Sequence, residues 1–112
     1  MDIATRNEGD ILVATPQGKR IDASNAILVK GTMVDCVNNG SRRIVLDFQR
    51  VEFIDSSGLG VLVSLLKTLG NDGELVLCNV PPKVMSLFEL TRMTRIFRIF
   101  PSLDEALRGF AG

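Results

Sequence analysis

The stretch VEFIDSSGLGVLV, residues 51–63, contains a change from one kind of secondary structure to another. Phe53 and Ile54 form a short apolar, strand-like run, and a helix-like spacing of leucines begins at Leu59. The polar residues Asp55–Ser57 therefore lie in the turn from a strand to a helix. In open α/β sheets, ligands and partners meet the fold at such turns, at the carboxyl ends of strands. The stretch predicts both the fold class and the place of the functional site.

The segments on either side complete an alternating pattern. Asn7–Asp10 has turn chemistry between two short strand-like runs, which predicts an antiparallel hairpin at the start of the chain. The predicted strands are Ile3–Arg6, Ile11–Thr15, Arg43–Phe48, Glu74–Cys78 and Ile96–Phe100, and the predicted helices are Ser24–Asn38, Leu59–Leu69, Pro82–Leu90 and Ser102–Arg108. Helices that alternate with buried strands imply right-handed crossovers. We therefore expect an α/β fold with a mixed, mostly parallel β-sheet, an N-terminal hairpin and about four α-helices.

Length and charge narrow the class of protein. Residues 1–112 have the length of a single domain, and 13 Lys and Arg residues balance 13 Asp and Glu residues. The chain therefore lacks the basic surface expected of a nucleic-acid binder. No apolar run reaches the roughly 20 residues of a membrane span, and no signal peptide pattern opens the sequence. We expect a cytoplasmic protein with no nucleic-acid partner and no direct membrane insertion.

The available side chains argue against an enzyme. The sequence contains no histidine, so the general base of a serine or cysteine hydrolase is missing. A carboxylate such as that of Asp55 is too weak a base to remove the hydroxyl proton of Ser56 unaided. Cys36 and Cys78 without histidines make neither a zinc site nor a disulfide framework, so we predict core thiols. We expect no catalytic residue, no metal and no cofactor, and a serine on which another protein acts.

The two serines exceed what helix capping requires. One Asp or Ser at the N-cap satisfies the free amides of the first turn, and glycines such as Gly58 and Gly60 cost up to ~1 kcal/mol each relative to alanine. A helix start with free backbone amides and small side chains fits two functions. One is noncovalent anion binding, and the other is a covalent phosphate on serine. The glycine spacing matches neither a dinucleotide-binding motif nor a P-loop, so nucleotide binding has little support.

The predicted helix also has an unusual outer face. At 100° per residue, this face carries small, nearly uncharged side chains, where a solvated face would carry Lys and Glu. The face is either merely solvated or a close-packing surface for another protein. Its residues are Ser57, Gly60, Val61, Ser64 and Thr68, and those expected to face the sheet are Leu59, Leu62, Val63 and Leu66.

Two motifs resemble the STAS domain of anti-sigma-factor antagonists. They are Val45-Leu-Asp-Phe48 and Phe53-Ile-Asp-Ser-Ser-Gly-Leu-Gly60, of which Asp-Ser-Ser-Gly-Leu-Gly is the more specific part. Gly18–Ala26 is similar to the early loop and first helix of that family, and segments between Glu74 and Leu107 are similar to its second half. The resemblance spans most of the chain and implies a single STAS domain over residues 1–112.

The resemblance implies a phosphorylation-controlled binding protein. In this family, the serine directly after the motif aspartate, here Ser56, is phosphorylated by an anti-sigma factor that is also a serine kinase of histidine-kinase-like fold. A PP2C-type serine phosphatase removes the phosphate. The unphosphorylated antagonist binds the kinase and displaces the sigma factor or another regulatory target, and phosphorylation releases it. Ser57 carries the same hydroxyl chemistry and is the alternative acceptor.

Asp22 matches a family position that contacts the kinase, and the remaining predicted contacts lie on the motif and the outer face. The predicted partner-binding residues are Asp22, Asp55, Ser56, Ser57, Gly58, Gly60, Val61 and Ser64. This sequence departs from the family at Lys19-Arg20, where an acidic residue is often found, and at Arg92, where many relatives have glycine.

Two other functions stay open. The chain could be a STAS subunit whose serine is never modified, within a lipid-transport complex or a stressosome-like assembly. It could also be a small-ligand or nucleotide sensor. An autonomous hydrolase ranks last.

Overall fold

The computed structural model describes residues 1–111, with side chains through Phe110. The strands are β1 (Ile3–Glu8), β2 (Ile11–Pro16), β3 (Arg20–Ile21), β4 (Arg43–Asp47), β5 (Phe53–Ile54), β6 (Glu74–Cys78) and β7 (Arg98–Phe100). The helices are α1 (Ala26–Asn38), α2 (Ser56–Leu69), α3 (Pro82–Leu90) and α4 (Leu103–Ala111), and short 3-10 turns lie at Gly70–Asp72 and Met93–Arg95. The elements follow the predicted alternating order, except that β3 was not predicted and the strand-like run at Phe53 and Ile54 forms a separate short strand, β5.

The strands form two sheets. The larger sheet has five strands in the order β1-β2-β4-β6-β7, in which β1 and β2 are antiparallel and the other neighbours are parallel. Strands β3 and β5 form a separate parallel pair. The mixed, mostly parallel sheet, the N-terminal hairpin and the four helices confirm the predicted fold class.

Alternating side chains of the five-stranded sheet enter two cores. On β4, Ile44 and Leu46 join the larger core with buried side chains of α1, α2 and α3, whereas Val45 joins a smaller core beneath α4. All three β4 side chains are almost fully buried. Because both faces of this strand are covered, its sequence is a continuous apolar run, as expected for a central parallel strand.

The loops at the carboxyl edge of the sheet are fixed by a buried carboxylate. Asp47 is 2% exposed, and its Oδ1 accepts hydrogen bonds from the Gln49 amide and from Asn79 Nδ2, each at 3.0 Å. The adjacent Cys78 is fully buried, and burial together with the neighbouring Asp47 carboxylate raises the pKa of its thiol to about 12. The predicted burial of this cysteine is confirmed, while Cys36 is only partly buried.

Boundaries differ from the prediction where local turns intervene. Helix α1 begins at Ala26 instead of Ser24, because the preceding residues form a hydrogen-bonded turn. Strand β7 begins at Arg98 instead of Ile96, because a 3-10 turn precedes it. Between α3 and that turn, Arg92 has a φ of +62°. This left-handed conformation favours glycine, so the arginine side chain is strained at this corner.

Candidate functional site

The two short strands β3 and β5 place two aspartates side by side. In the parallel register, Ile21 pairs with Ile54, and both strands end there. Asp22 and Asp55 directly follow these strands, so both occur at the carboxyl end of the same strand pair. The sequence separately predicted Asp22 and Asp55 as site residues, and the structure brings them together.

Asp55 links the starts of two helices. Its Oδ1 accepts a hydrogen bond from the Gly58 amide at 3.1 Å, which makes it the N-cap of α2. Its Oδ2 accepts a hydrogen bond from the Ala23 amide at 3.3 Å, in the turn that leads into α1. Since both carboxylate oxygens are engaged by backbone amides, Asp55 has a positioning role in the loop geometry.

Asp22 is held within its own turn. Its Oδ1 accepts hydrogen bonds from the Ser24 hydroxyl at 2.5 Å and the Ser24 amide at 3.0 Å, while Arg20 Nε lies 3.2 Å from its Oδ2. These bonds, those from Ser24 above all, lower the pKa of Asp22 below its ordinary value. The Asn25 side chain closes the turn by accepting from the Asp22 amide and donating to the Arg20 carbonyl. Asp22 is therefore ionised at neutral pH and held in a fixed position by its own turn.

The two serines open helix α2 and differ in exposure. Ser56, the first helical residue, is exposed, whereas Ser57 is partly buried. No hydrogen bond joins the Ser56 hydroxyl to another residue in the described part of the chain. Ser56 thus presents a free hydroxyl at the helix start, and Ser57 faces the neighbouring helix α1.

The two glycines of the motif differ in whether the packing of the domain requires a glycine. A Cβ on Gly58 would lie 2.4 Å from Cγ1 of Ile54 and 2.7 Å from the backbone oxygen of Ile21. Gly58 therefore allows α2 to pack directly on the β3–β5 pair. A Cβ on Gly60 would meet nothing within 4 Å. Packing within the domain therefore does not require a glycine at position 60.

The prediction of the outer face of α2 is wrong for one residue. Val61 is buried, at 5% exposure, because α1 packs against this side of α2. Leu65 is fully buried as well, while Val63 and Leu66, which were expected to face the sheet, are only partly buried. Helix α2 lies against both the sheet and α1, so its buried surface is wider than one stripe.

A groove of about 250 Å³ runs between α1 and α2. Its walls are formed by side chains of both helices, with the nearly buried Val61 among them. The lining residues are Ala26, Ile27, Lys30, Ser57, Gly60, Val61 and Ser64. Four of the predicted partner-binding residues therefore surround one concave surface.

Two exposed apolar residues of α1 were missed by the sequence analysis, and one of them, Ile27, lines this groove. Ile27 is 84% exposed and Leu28 is 60% exposed, although both are large aliphatic side chains. Their position outside the buried stripe of α1, which contains Val29 and Met33, was the available signal. An adjacent pair of exposed aliphatic residues is typical of an interaction surface.

The fold and the site define an α/β domain with an exposed, serine-bearing helix start beside an interhelical groove. The model of the STAS domain matches residues 2–106. BtrV of Bordetella bronchiseptica, a candidate anti-sigma factor antagonist, is 36% identical over 101 residues, which cover 89% of this chain and 86% of BtrV. The chain belongs to the STAS domain family, as the resemblance of its motifs indicated.

Solved structures agree with this assignment. A candidate anti-sigma factor antagonist from Thermotoga maritima matches with a TM-score of 0.91 at 30% identity, over 96% of this chain and 92% of that one. SpoIIAA of Bacillus, solved in an unphosphorylated and a phosphorylated form, shares the fold at 19% identity, with TM-scores of 0.75 and 0.73. The matches to SpoIIAA cover 99% and 97% of this chain and 99% of SpoIIAA. In residues 1–111, no helix has the length and apolar character needed to cross a membrane.

Proposed function

We propose that this protein is an anti-sigma-factor antagonist that binds an anti-sigma factor while Ser56 is unphosphorylated and is released when Ser56 is phosphorylated. The anti-sigma factor would itself be the serine kinase, of histidine-kinase-like fold, and a PP2C-type phosphatase would reverse the modification. The names of the relatives and the motif around Ser56 support this role. In this proposal the protein is a substrate and a binding partner, with no catalysis of its own.

The observation that carries the proposal is the position of Ser56. Its hydroxyl is exposed at the first residue of a 14-residue helix, directly after Asp55 and beside the turn that holds Asp22. A kinase can therefore reach the hydroxyl without unfolding the domain. Both Asp55 oxygens already accept backbone bonds, so we expect the base that receives the serine proton to come from the kinase.

The modification itself is an ordinary phosphoryl transfer. The Ser56 oxygen forms a bond to the γ-phosphorus of ATP, the bond from that phosphorus to ADP breaks, and the hydroxyl proton passes to the kinase. The reverse process is hydrolysis of the phosphoserine by the phosphatase, which returns the serine and inorganic phosphate.

The free domain can accommodate a phosphate at this position. The carboxylate of Asp55 occupies the Gly58 amide, and the backbone oxygen of Asp55 occupies the Leu59 amide. The amides of Ser56 and Ser57, at the positive end of the helix dipole, lack a partner among the described residues. Such a helix start stabilises an anion by up to ~2 kcal/mol in favourable geometries. We expect the phosphorylated domain to keep its fold.

The bound complex would not accommodate the phosphate equally well. Phosphoserine carries a charge of about −1.5 to −2, and the negatively charged Asp55 is the preceding residue. Burying this charge at an interface without a cationic partner costs several kcal/mol. A cost of ~4 kcal/mol lowers affinity about a thousandfold, which is sufficient for release.

A kinase assay with matched serine variants tests the proposal. Purified protein is incubated with ATP and each anti-sigma kinase encoded in the genome of its source organism, and added phosphate is located by fragment mass spectrometry. We expect the unmodified sequence to be phosphorylated on Ser56. The Ser56→Ala variant should not be phosphorylated, and the Ser57→Ala variant should be phosphorylated on Ser56 to the same extent as the parent. Binding of the same kinase should be lost in the phosphoprotein, while the circular dichroism spectrum stays unchanged.

Other outcomes discriminate between the alternatives. Phosphate on Ser57 alone would keep the switch and move the acceptor by one residue. No phosphate from kinases that modify another antagonist in the same assay would contradict the proposal. That result, together with stable co-purification of Ser56→Ala with membrane components, would favour an unmodified STAS subunit of a lipid-transport or stressosome-like assembly.

A further inference from the structure

A second concave surface lies on the other side of the β3–β5 pair and carries an excess of positive charge. Its cavity of about 390 Å³ is lined by Lys19, Arg20, Glu52, Phe53 and Lys83. Three of these side chains are cations and one is an anion. In a chain whose charges balance overall, this is a local concentration of positive charge.

Arg20 is the most ordered of the three cations. Its guanidinium carbon lies 4.5 Å from the centre of the Phe53 ring, and its Nε lies 3.2 Å from Oδ2 of Asp22. The side chain still has 62% of its surface exposed. Stacking and the hydrogen bond fix the guanidinium in place, so little conformational entropy is lost when an exposed nitrogen binds a carboxylate.

The two lysines are poorly compensated within the domain. Lys19 Nζ lies 3.9 Å from Glu52, but both side chains are largely exposed, at 80% and 71%, so the pair contributes little. Lys83 is exposed at the second residue of α3, where the helix dipole disfavours a positive charge. These charges do not serve the stability of the free domain, which indicates a role in binding.

We propose that Lys19, Arg20 and Lys83 form a docking patch for an acidic protein segment. The segment would present at least two carboxylates to the cations and an apolar side chain to Phe53, which is only partly buried. The patch is continuous with the proposed docking surface, because Arg20 contacts Asp22 directly. That the acidic segment belongs to the anti-sigma factor rests on the proposed function, whereas the acidic chemistry follows from the patch itself.

The first experiment needs no identified partner. The full chain, labelled with ¹⁵N, is titrated with a blocked peptide of alternating glutamate and leucine, and with a glutamine–leucine peptide of equal length. We expect the acidic peptide alone to shift the amide resonances of Lys19, Arg20, Phe53 and Lys83. Shifts spread equally over all lysines and arginines, no shift at millimolar peptide, or binding to anionic lipid vesicles without binding to the peptide would each overturn the proposal.

Charge-reversal variants make the test specific. Lys83→Glu should weaken peptide binding by roughly tenfold, because it replaces an attraction with a repulsion at the patch. The matched control is Lys67→Glu, which reverses an exposed lysine on α2 outside the patch and should bind normally. Unfolding is not a concern for Lys83→Glu, because a negative charge suits the helix start. An equal loss in both variants would contradict the proposal.

The same variants separate this inference from the proposed function. With an anti-sigma factor that binds the unmodified protein, Lys83→Glu should raise Kd by roughly tenfold and reduce its salt dependence. If that affinity is unchanged in Lys83→Glu, the assignment of the acidic segment to the anti-sigma factor is wrong, although the proposed function stands. If no anti-sigma factor binds but the acidic peptide does, the proposed function fails while the patch stands.

Discussion

The two glycines of the motif allow a matched test of how α2 is positioned. In Gly58→Ala, the new Cβ would lie 2.4 Å from Ile54 Cγ1 and 2.7 Å from the Ile21 backbone oxygen. A backbone atom cannot rotate away, so α2 must shift relative to the β3–β5 pair. Overpacking of this kind costs about 1–3 kcal/mol, of which the helix propensity of alanine offsets up to ~1 kcal/mol. We expect Gly58→Ala to lower the free energy of unfolding by about 1–2 kcal/mol.

Gly60→Ala, two residues further on, should have the opposite effect. Its Cβ would meet nothing within 4 Å, and the residue lies inside a regular helix. Alanine restricts the unfolded chain more than glycine does, which raises stability by about 0.4–1 kcal/mol. The two variants should therefore differ by about 2 kcal/mol, or roughly 1 M in the midpoint of urea unfolding at a slope of about 2 kcal/mol/M. Equal midpoints for the two variants would refute this account of the packing of α2.

The same substitution tests the groove between α1 and α2. The added methyl group of Gly60→Ala enters the groove lined by Ile27, Ser57 and Ser64. We therefore expect this variant to bind an anti-sigma factor more weakly, although it is more stable than the parent. Gly31→Ala, on the exposed side of α1, is the control, because its Cβ also meets nothing within 4 Å and it does not line the groove. Equal affinities of the Gly60 and Gly31 variants, measured by titration calorimetry, would exclude the groove from the interface.

Three further predictions concern the corner, the cap and the buried thiol. Arg92→Gly should stabilise the fold by up to ~1 kcal/mol in urea unfolding, because it removes a side chain from a left-handed backbone position. Asp55→Ala removes the cap of α2 and the bond from the Ala23 amide, so we expect a loss of about 1–2 kcal/mol, visible as a lower Tm, with Asp55→Asn closer to the parent. The pKa of the Cys78 thiol is about 12 in the folded chain against an ordinary value of 9.0, so the folded chain binds the extra proton between these pH values. The free energy of unfolding of the protein should therefore fall by up to about 1.4 kcal/mol per pH unit between pH 9 and pH 12, and by less in Cys78→Ala. The same slope in both proteins would contradict the raised pKa of Cys78.

The candidate site places opposite charges close together. Asp22 is paired with Arg20, so a basic group of a partner that approaches Asp22 must compete with an internal guanidinium. The same arginine faces outward beside Lys19 and Lys83. If both surfaces contact one partner, that partner must present positive charge toward Asp22 and negative charge toward the patch.

The sequence by itself determined the architecture and predicted where the candidate site lies. Hydrophobic periodicity is a local property, and it correctly predicted β6 at Glu74–Cys78 and a helix that begins at the Pro81-Pro82 pair and ends near Leu90, where α3 is found. The motif from Asp55 to Gly60 resembles that of the STAS family, and its polar and glycine residues interrupt that periodicity where a helix begins. The alternation of helices with buried strands then allowed few topologies other than the observed one.

Only the tertiary structure decided how the site is assembled. Strands β3 and β5 have two residues each, which is too short for any periodic signal, so their pairing and the bond from Ala23 to Asp55 could not be predicted. The burial of Val61 depends on α1, which packs against α2 from a distant part of the sequence. The stacking of Arg20 on Phe53 likewise joins residues far apart in the chain. A single sequence specifies the local preferences of its segments, whereas contacts between segments arise only when the chain packs.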